Sequence, residues 1–232
     1  MTDPDAASRA DAAALLWGAP GAVVKRGPKP RFTLEAVVDA ARQIADEDGL
    51  SHVTMQSVAD RLGAAKMALY RYVPGRAELD AVMLDTAFGN PDGLDAGSWR
   101  EALSAWTLAL YHRALQHPWV VELAGRPHTP GPAEIGWYEA GLEALSSLPL
   151  AEADKLDALA LLSGHALSMA HRAADAQNTE ELLAVRLHPH LTANAHRFPR
   201  TAAAFAASSS GDRGHALQFG IDRIIDGLAA HA

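Results

Sequence analysis

The 232-residue sequence contains no cysteine. Disulfides and thiolate metal sites are therefore excluded, and the composition fits a reducing compartment. Aromatic residues are scarce, at 6% of the chain, so any place where they gather is informative. β-branched residues are thin beside the heavy use of alanine, which favours helices over strands. No apolar run approaches the roughly 20 residues of a membrane span. The opening residues, MTDPDAASRADAA, are too acidic and polar for a signal peptide. Phosphate loops, nucleophile elbows, dinucleotide fingerprints and internal repeats are all missing. These gaps predict an all-α, cytoplasmic protein of one or two domains. They assign it no cofactor, no catalytic residue and no contact with membranes.

Charge is present but unevenly spread. The formal net charge is −8. Residues 24–76 nevertheless hold nine Lys or Arg against six Asp or Glu, whereas residues 81–232 hold ten against seventeen. Attraction to phosphate is local at physiological salt, so a basic head on an acidic body remains compatible with nucleic acid.

Residues 1–32 form an N-terminal extension, with a short helix around Ala12 to Trp17 and then a basic arm. Lys25, Arg26, Lys29 and Arg31 stand together there, and Pro28 and Pro30 keep them out of a helix. Thr33 caps a helix to about Asp48, with Leu34, Val37, Val38, Ala41 and Ile44 on its apolar stripe. Gly49 ends it. Thr54 caps the next helix, Met55 to Leu62, and Gly63 terminates that one in a left-handed conformation. A second short helix runs from about Ala65 to Tyr72 with Leu69 inward, and Pro74-Gly75 stops it. Helix, glycine turn and helix is the outline of helix-turn-helix DNA binding. A linking helix follows over 76–88, and GNPDGLDAG at 89–97 marks a boundary.

Beyond that boundary, residues 98–232 read as helices at about 98–116, 119–125, 133–148, 151–174, 179–191 and 212–230. The 151–174 helix is apolar on two faces and so needs cover on both sides. The stretch at 198–214 is small and polar and reads as irregular. His188, His190 and His196 sit among Pro189 and Pro199 in a loop-like segment without nearby carboxylates, so no metal site is assigned.

The runs TLEAVVDAARQIADEDGL, VTMQSVADRLG, AAKMALYRYV and PGRAELDAVMLD, within residues 33–86, resemble the DNA-binding domain of the TetR family of transcriptional repressors. LYRYV followed by a basic residue and Glu78-Leu79 is its most specific part. The resemblance implies a three-helix DNA-binding head at 33–88 and a helical ligand-binding and dimerisation domain at 98–232. It puts Lys66, Met67, Ala68, Tyr70, Arg71 and Tyr72 at the major groove, with Thr54 and Gln56 beside them, and Arg76 on phosphate. It implies a small-molecule pocket, for which Trp106, Tyr111, Trp137, Tyr138, His165 and Met169 are the candidates. It also implies a dimer contact across a twofold axis through Leu156, Leu159, Gly164, Leu167, Leu217, Ile221, Ile224, Ile225 and Leu228. The expected function is a homodimeric repressor released from a near-palindromic double-stranded operator by a small, largely apolar or aromatic effector. An enzyme with a helical pocket, or an adaptor whose head binds protein, are the competing classes. Neither would show a steep salt dependence on nonspecific duplex DNA.

The arm supplies the first test. Deleting residues 1–31 should reduce the salt slope of DNA binding by roughly 0.9 for each phosphate that the arm neutralises. The head should still fold, because its caps and core lie downstream of Phe32. An unchanged slope would return the arm to the status of a linker.

Overall fold

The computed structural model of the chain describes residues 4–18, 32–92, 97–174, 180–207 and 215–230. Among them there are helices and no strands, and no helix is long and apolar enough to cross a membrane. The arm cations Lys25, Arg26, Lys29 and Arg31 lie outside the described residues. Two compact units emerge. The first comprises residues 1–95 with 116–143, and the second 96–115 with 144–232.

In the first unit, α1 (Pro4–Trp17) is longer than the Ala12–Trp17 stretch expected from sequence. The head is α2 (Leu34–Asp48), a 3-10 turn at Leu50–His52, α3 (Met55–Arg61) and α4 (Lys66–Leu69). The linking helix is α5 (Arg76–Phe88), and α7 (Trp119–Ala124) and α8 (Pro132–Ala144) complete the unit. The boundaries of α2 and α5 are those the caps announce. Thr33 accepts the Ala36 amide at 3.2 Å, and Gly49 takes φ 93°, open to glycine. The stripe Val37, Val38, Ala41 and Ile44 is buried.

α1 packs on α5, and its last residue, Trp17, donates its indole N–H to the Pro130 carbonyl at 3.1 Å. Deleting residues 1–31 therefore strips a packed helix as well as four cations. Alanine at all four arm positions is the cleaner form of that test.

The second unit holds α6 (Trp99–Gln116), whose last residue lies in the first unit, with α9 (Glu152–Ala174), α10 (Glu180–Ala193), α11 (Pro199–Ala207) and α12 (Ala216–Ala229). Two expectations are corrected here. The helix expected over 179–191 runs on through the histidine segment that reads as loop-like, with Pro189 inside α10. Val185, four residues before that proline, is exposed, so water can take the carbonyl left without a donor. The expected irregular stretch contains α11, because Pro199 suits the first helical position and alanines follow it.

α9 and α12 pack against each other. Ala158, Leu159, Leu162, Ala166 and Ala170 form the buried stripe of α9, and Ile221 and Ile225 that of α12. His165 donates Nε2–H to the Leu217 carbonyl at 3.0 Å. Opposite it, a Cβ on Gly220 would stand 2.2 Å from the same nitrogen, so a methyl there would have to displace the His165 ring. Gly220→Ala should break this seam through overpacking, at about 1–3 kcal/mol. A thermal melt unchanged from wild type would refute the close approach.

Candidate nucleic-acid interface

The helix-turn-helix is built around one reciprocal cap. The Thr54 hydroxyl accepts the Ser57 amide at 2.9 Å, and the Ser57 hydroxyl accepts the Thr54 amide at 2.8 Å. Ser57 also donates to the His52 carbonyl, which pins the 3-10 turn to the start of α3. At the other end Gly63 adopts φ 59°, and the turn closes through the Ala64 amide on the Ala59 carbonyl at 2.9 Å. Arg61 grips Glu47 on α2, and that hydrogen bond holds the Glu47 carboxyl below its ordinary range.

The second helix is shorter than its sequence suggests. α4 covers only Lys66–Leu69, and the chain then tightens, with the amides of Tyr72 and Val73 both on the Leu69 carbonyl. Leu69 and Val73 are fully buried, as are Val58 and Ala59 of α3. That anchor leaves Lys66, Met67, Tyr70 and Arg71 exposed. Among the described residues, Lys66 and Arg71 meet no hydrogen-bonding or ionic partner, so their charges are open to an incoming anion. Tyr72 is half-buried, and its hydroxyl accepts the Phe32 amide at 3.4 Å, joining the root of the arm to this helix. Ala68 is half-buried and offers only a methyl. Gln56 is exposed but donates to Asp60 at 2.8 Å. The Thr54 hydroxyl is spent on its cap.

Arg76 is differently placed from the phosphate grip expected of it. Its guanidinium donates to the carbonyls of Val53 and Leu50, immediately before the Thr54 cap, and its Nε donates to Asp80 at 2.6 Å. Asp80 also faces Arg126, which follows α7, at 3.6 Å. Burial pushes the Asp80 carboxyl above its ordinary range, against the opposing pull of Arg76.

Further ties, unannounced by any local sequence signal, join the head and α5 to α7 and α8. His117 donates Nδ1–H to Asp46 at 2.9 Å and accepts from Arg42 at 3.2 Å. Trp119 donates its indole N–H to the same Asp46 oxygen at 2.6 Å. Asp85 on α5 accepts the amides of Ala133 and Glu134 in the first turn of α8. Gly131 makes room for it, since a Cβ there would stand 2.2 Å from the Asp85 carboxyl carbon. Trp137 is buried and donates to the carbonyls of Phe88 at 3.3 Å and Gly89 at 3.0 Å, at the end of α5.

Two models of known families match this chain. Bacterial regulatory proteins, tetR family, matches residues 37–80. The tetracyclin repressor-like C-terminal domain matches residues 90–232. The chain belongs to the TetR family of helix-turn-helix transcriptional regulators. It is similar to the HTH-type transcriptional repressor DrrR1 of Streptomyces coeruleorubidus, at 35% identity over 230 residues, 92% of this chain and 83% of that one. It is also similar to an HTH-type transcriptional regulator of Saccharopolyspora erythraea, at 31% identity, 93% of this chain and 94% of that one. Among solved structures it resembles the TetR family protein ActR of Streptomyces coelicolor in complex with (S)-DNPA. The TM-score is 0.75 at 25% identity, covering 88% of this chain and 100% of that one. ActR in complex with actinorhodin gives the same TM-score and identity. Like these TetR-family relatives, the protein is a DNA-binding regulator and not an enzyme.

The remaining candidates fall as follows. Trp137 and Tyr138 lie in the first unit, the latter exposed. Trp106, Tyr111, His165 and Met169 lie in the second, Trp106 buried and the others half-buried. Of the dimer candidates, Leu159, Ile221 and Ile225 are buried within this chain. Leu156 and Gly164 are exposed, and Leu167, Leu217, Ile224 and Leu228 are half-buried.

The cations separate by mutation. Lys66→Ala should weaken operator and nonspecific DNA alike and reduce the salt slope by about 0.9. Arg71→Ala should cost about 1–3 kcal/mol on the operator if it reads a base. Arg76→Ala should lower the melting temperature as well as the affinity, because the Val53 carbonyl loses its side-chain donor and the Leu50 carbonyl one of its two donors. A normal melt with the salt slope reduced by about 0.9 would put Arg76 on phosphate instead.

Proposed function

We propose that this TetR-family member is a homodimeric repressor that leaves a near-palindromic operator when a small effector binds its C-terminal part. The observation that carries the DNA half is the short α4, held by buried Leu69 and Val73, presenting Lys66 and Arg71, which have no partner among the described residues, beside Tyr70 and Met67. Cations and a tyrosine hydroxyl set register on phosphates, and Arg71 reaches a base edge. Met67 and Ala68 offer apolar contact to thymine methyls. One such helix spans few base pairs, which is the reason for two.

The outer surface of the α9–α12 pair supports the dimer. Leu156, Leu161 and Phe219 are exposed there at 45%, 62% and 66%, and Gly164 has open space around it. Because Ile221 and Ile225 are already buried in the monomer, an acidic substitution at either would test folding first. Leu156 and Phe219 are the positions that test assembly.

For the effector, ActR in complex with two different small molecules supports a small-molecule signal here as well. Trp106, Tyr111, His165 and Met169 are the aromatic and amphipathic candidates in the second unit. Trp137 acts differently, as a bracket on the end of α5, so its loss should reduce stability and DNA binding together.

Selection of bound duplexes from a random pool tests the central claim. It should return an inverted repeat with half-site centres about 34–36 Å apart, or a multiple of that. A single asymmetric site, bound by a species that scatters light as a monomer, would overturn it.

A further inference from the structure

The first unit contains a cavity of about 200 Å³ that none of the candidate effector residues lines. α1 contributes Ala12 to it, α5 contributes Ala77, Asp80, Ala81 and Leu84, and α7 with the following segment contributes Leu123 and Arg126 to Thr129. Its walls are mostly aliphatic, and one half-buried carboxylate opens onto it. A volume below the roughly 300–1,000 Å³ of drug-sized pockets suits a single-ring molecule.

The charges in the lining decide which molecule. Arg126 donates to Glu122. His128 has both ring nitrogens engaged, Nδ1 at 2.8 Å from the Arg126 carbonyl and Nε2 at 3.0 Å from Glu134. Two acceptors around one ring favour the imidazolium, and the hydrogen bond to Glu134 raises the His128 pKa. Both cations of the lining are therefore already committed, and an anion would have to displace a carboxylate to reach them.

Asp80 is the reverse case. Its Oδ1 is held by Arg76 at 2.6 Å, whereas among the described residues Oδ2 has only Arg126 at 3.6 Å, beyond hydrogen-bonding distance. The side chain is 16% exposed. Asp80 lines the cavity, where water can reach that oxygen, and partial burial of the carboxyl is the first cause of the upward displacement of its pKa. An ammonium entering the cavity can donate to that oxygen in place of water.

We propose that this cavity is a second ligand site, separate from the effector candidates, which binds a small protonated amine with an apolar body through Asp80. The same carboxylate orients Arg76, and Arg76 holds the carbonyls in front of the Thr54 cap. An occupant that draws Asp80 toward the cavity loosens that hold and lowers DNA affinity, and DNA lowers amine affinity by the same factor. The binding step is independent of the function proposed above, and the effect on DNA rests on it.

The test uses the full-length protein with benzylamine, benzyl alcohol and benzoate as probes, titrated by calorimetry near neutral pH. Benzylamine should bind saturably, and the alcohol and the carboxylate at least about tenfold more weakly, the weight of a charge-assisted hydrogen bond. Asp80→Asn should remove the preference. Because that change also touches Arg76, Ala77→Leu serves as a second variant. It narrows the cavity and leaves the carboxylate in place, so it should abolish binding with a wild-type melt. Equal binding of the three probes, or benzylamine binding that survives both variants, overturns the site. Saturating benzylamine should then weaken operator binding severalfold in wild type and not in Ala77→Leu. Binding without that change overturns the coupling. Failure to bind any duplex with amine binding intact overturns the regulator reading and leaves the site standing.

Discussion

Arg76 donating to the carbonyls of Leu50 and Val53 is the interaction on which the DNA-binding surface depends. The Leu50 carbonyl opens the turn that feeds α3 and also accepts the Val53 amide at 3.2 Å, and the Val53 carbonyl directly precedes the Thr54 cap. Arg76 belongs to the first turn of α5, so the linking helix and the helix-turn-helix share hydrogen bonds in addition to apolar packing. Asp80 fixes the guanidinium in its fork geometry, one helical turn away. The surface residues Lys66 and Arg71 are thereby carried on a frame whose position is set from behind.

That frame extends past the linking helix. Asp46 on α2 receives both the His117 ring and the Trp119 indole, and α8 is capped by Asp85 and bracketed to α5 by Trp137. These are directional polar contacts, those of Asp85 and Trp137 at half-buried and buried positions, and packed contacts of that kind switch between discrete arrangements instead of deforming smoothly. A change in α7 or α8 reaches α2 and α5 within one compact unit. A regulator released by a small effector, as proposed above, needs this property, because the effector would have to alter the grip of residues far from it in sequence.

What could be read from the chain was local. Thr33, Gly49, Thr54 and Gly63 announce the ends of α2 and α3 through cap chemistry, and Leu69 announces the buried face of α4. The LYRYV run carried the family. The length of α4 was not legible, because the residues after Leu69 close a tighter turn that keeps the same inward side chains. α10 ran through Pro189 and α11 formed among small residues, because an exposed helix tolerates a missing bond and alanine needs little help. The inward turn of Arg76 was hidden for a different reason. Its partners are carbonyls 23 and 26 positions earlier, and backbone oxygens leave no mark in a sequence. The roles of Asp46, Asp85 and Gly131 were hidden in the same way.

The cap on α8 carries a genetic consequence. Its acceptor is Asp85 and its clearance is Gly131, far apart along the chain, and neither touches the outer face of α4. In a screen for colonies that have lost repression, changes at these two codons would be recovered beside those in the recognition helix. They would read as DNA-binding defects although they fall outside it. A map of such mutations would trace the mechanical frame of the protein and not only its footprint on the operator.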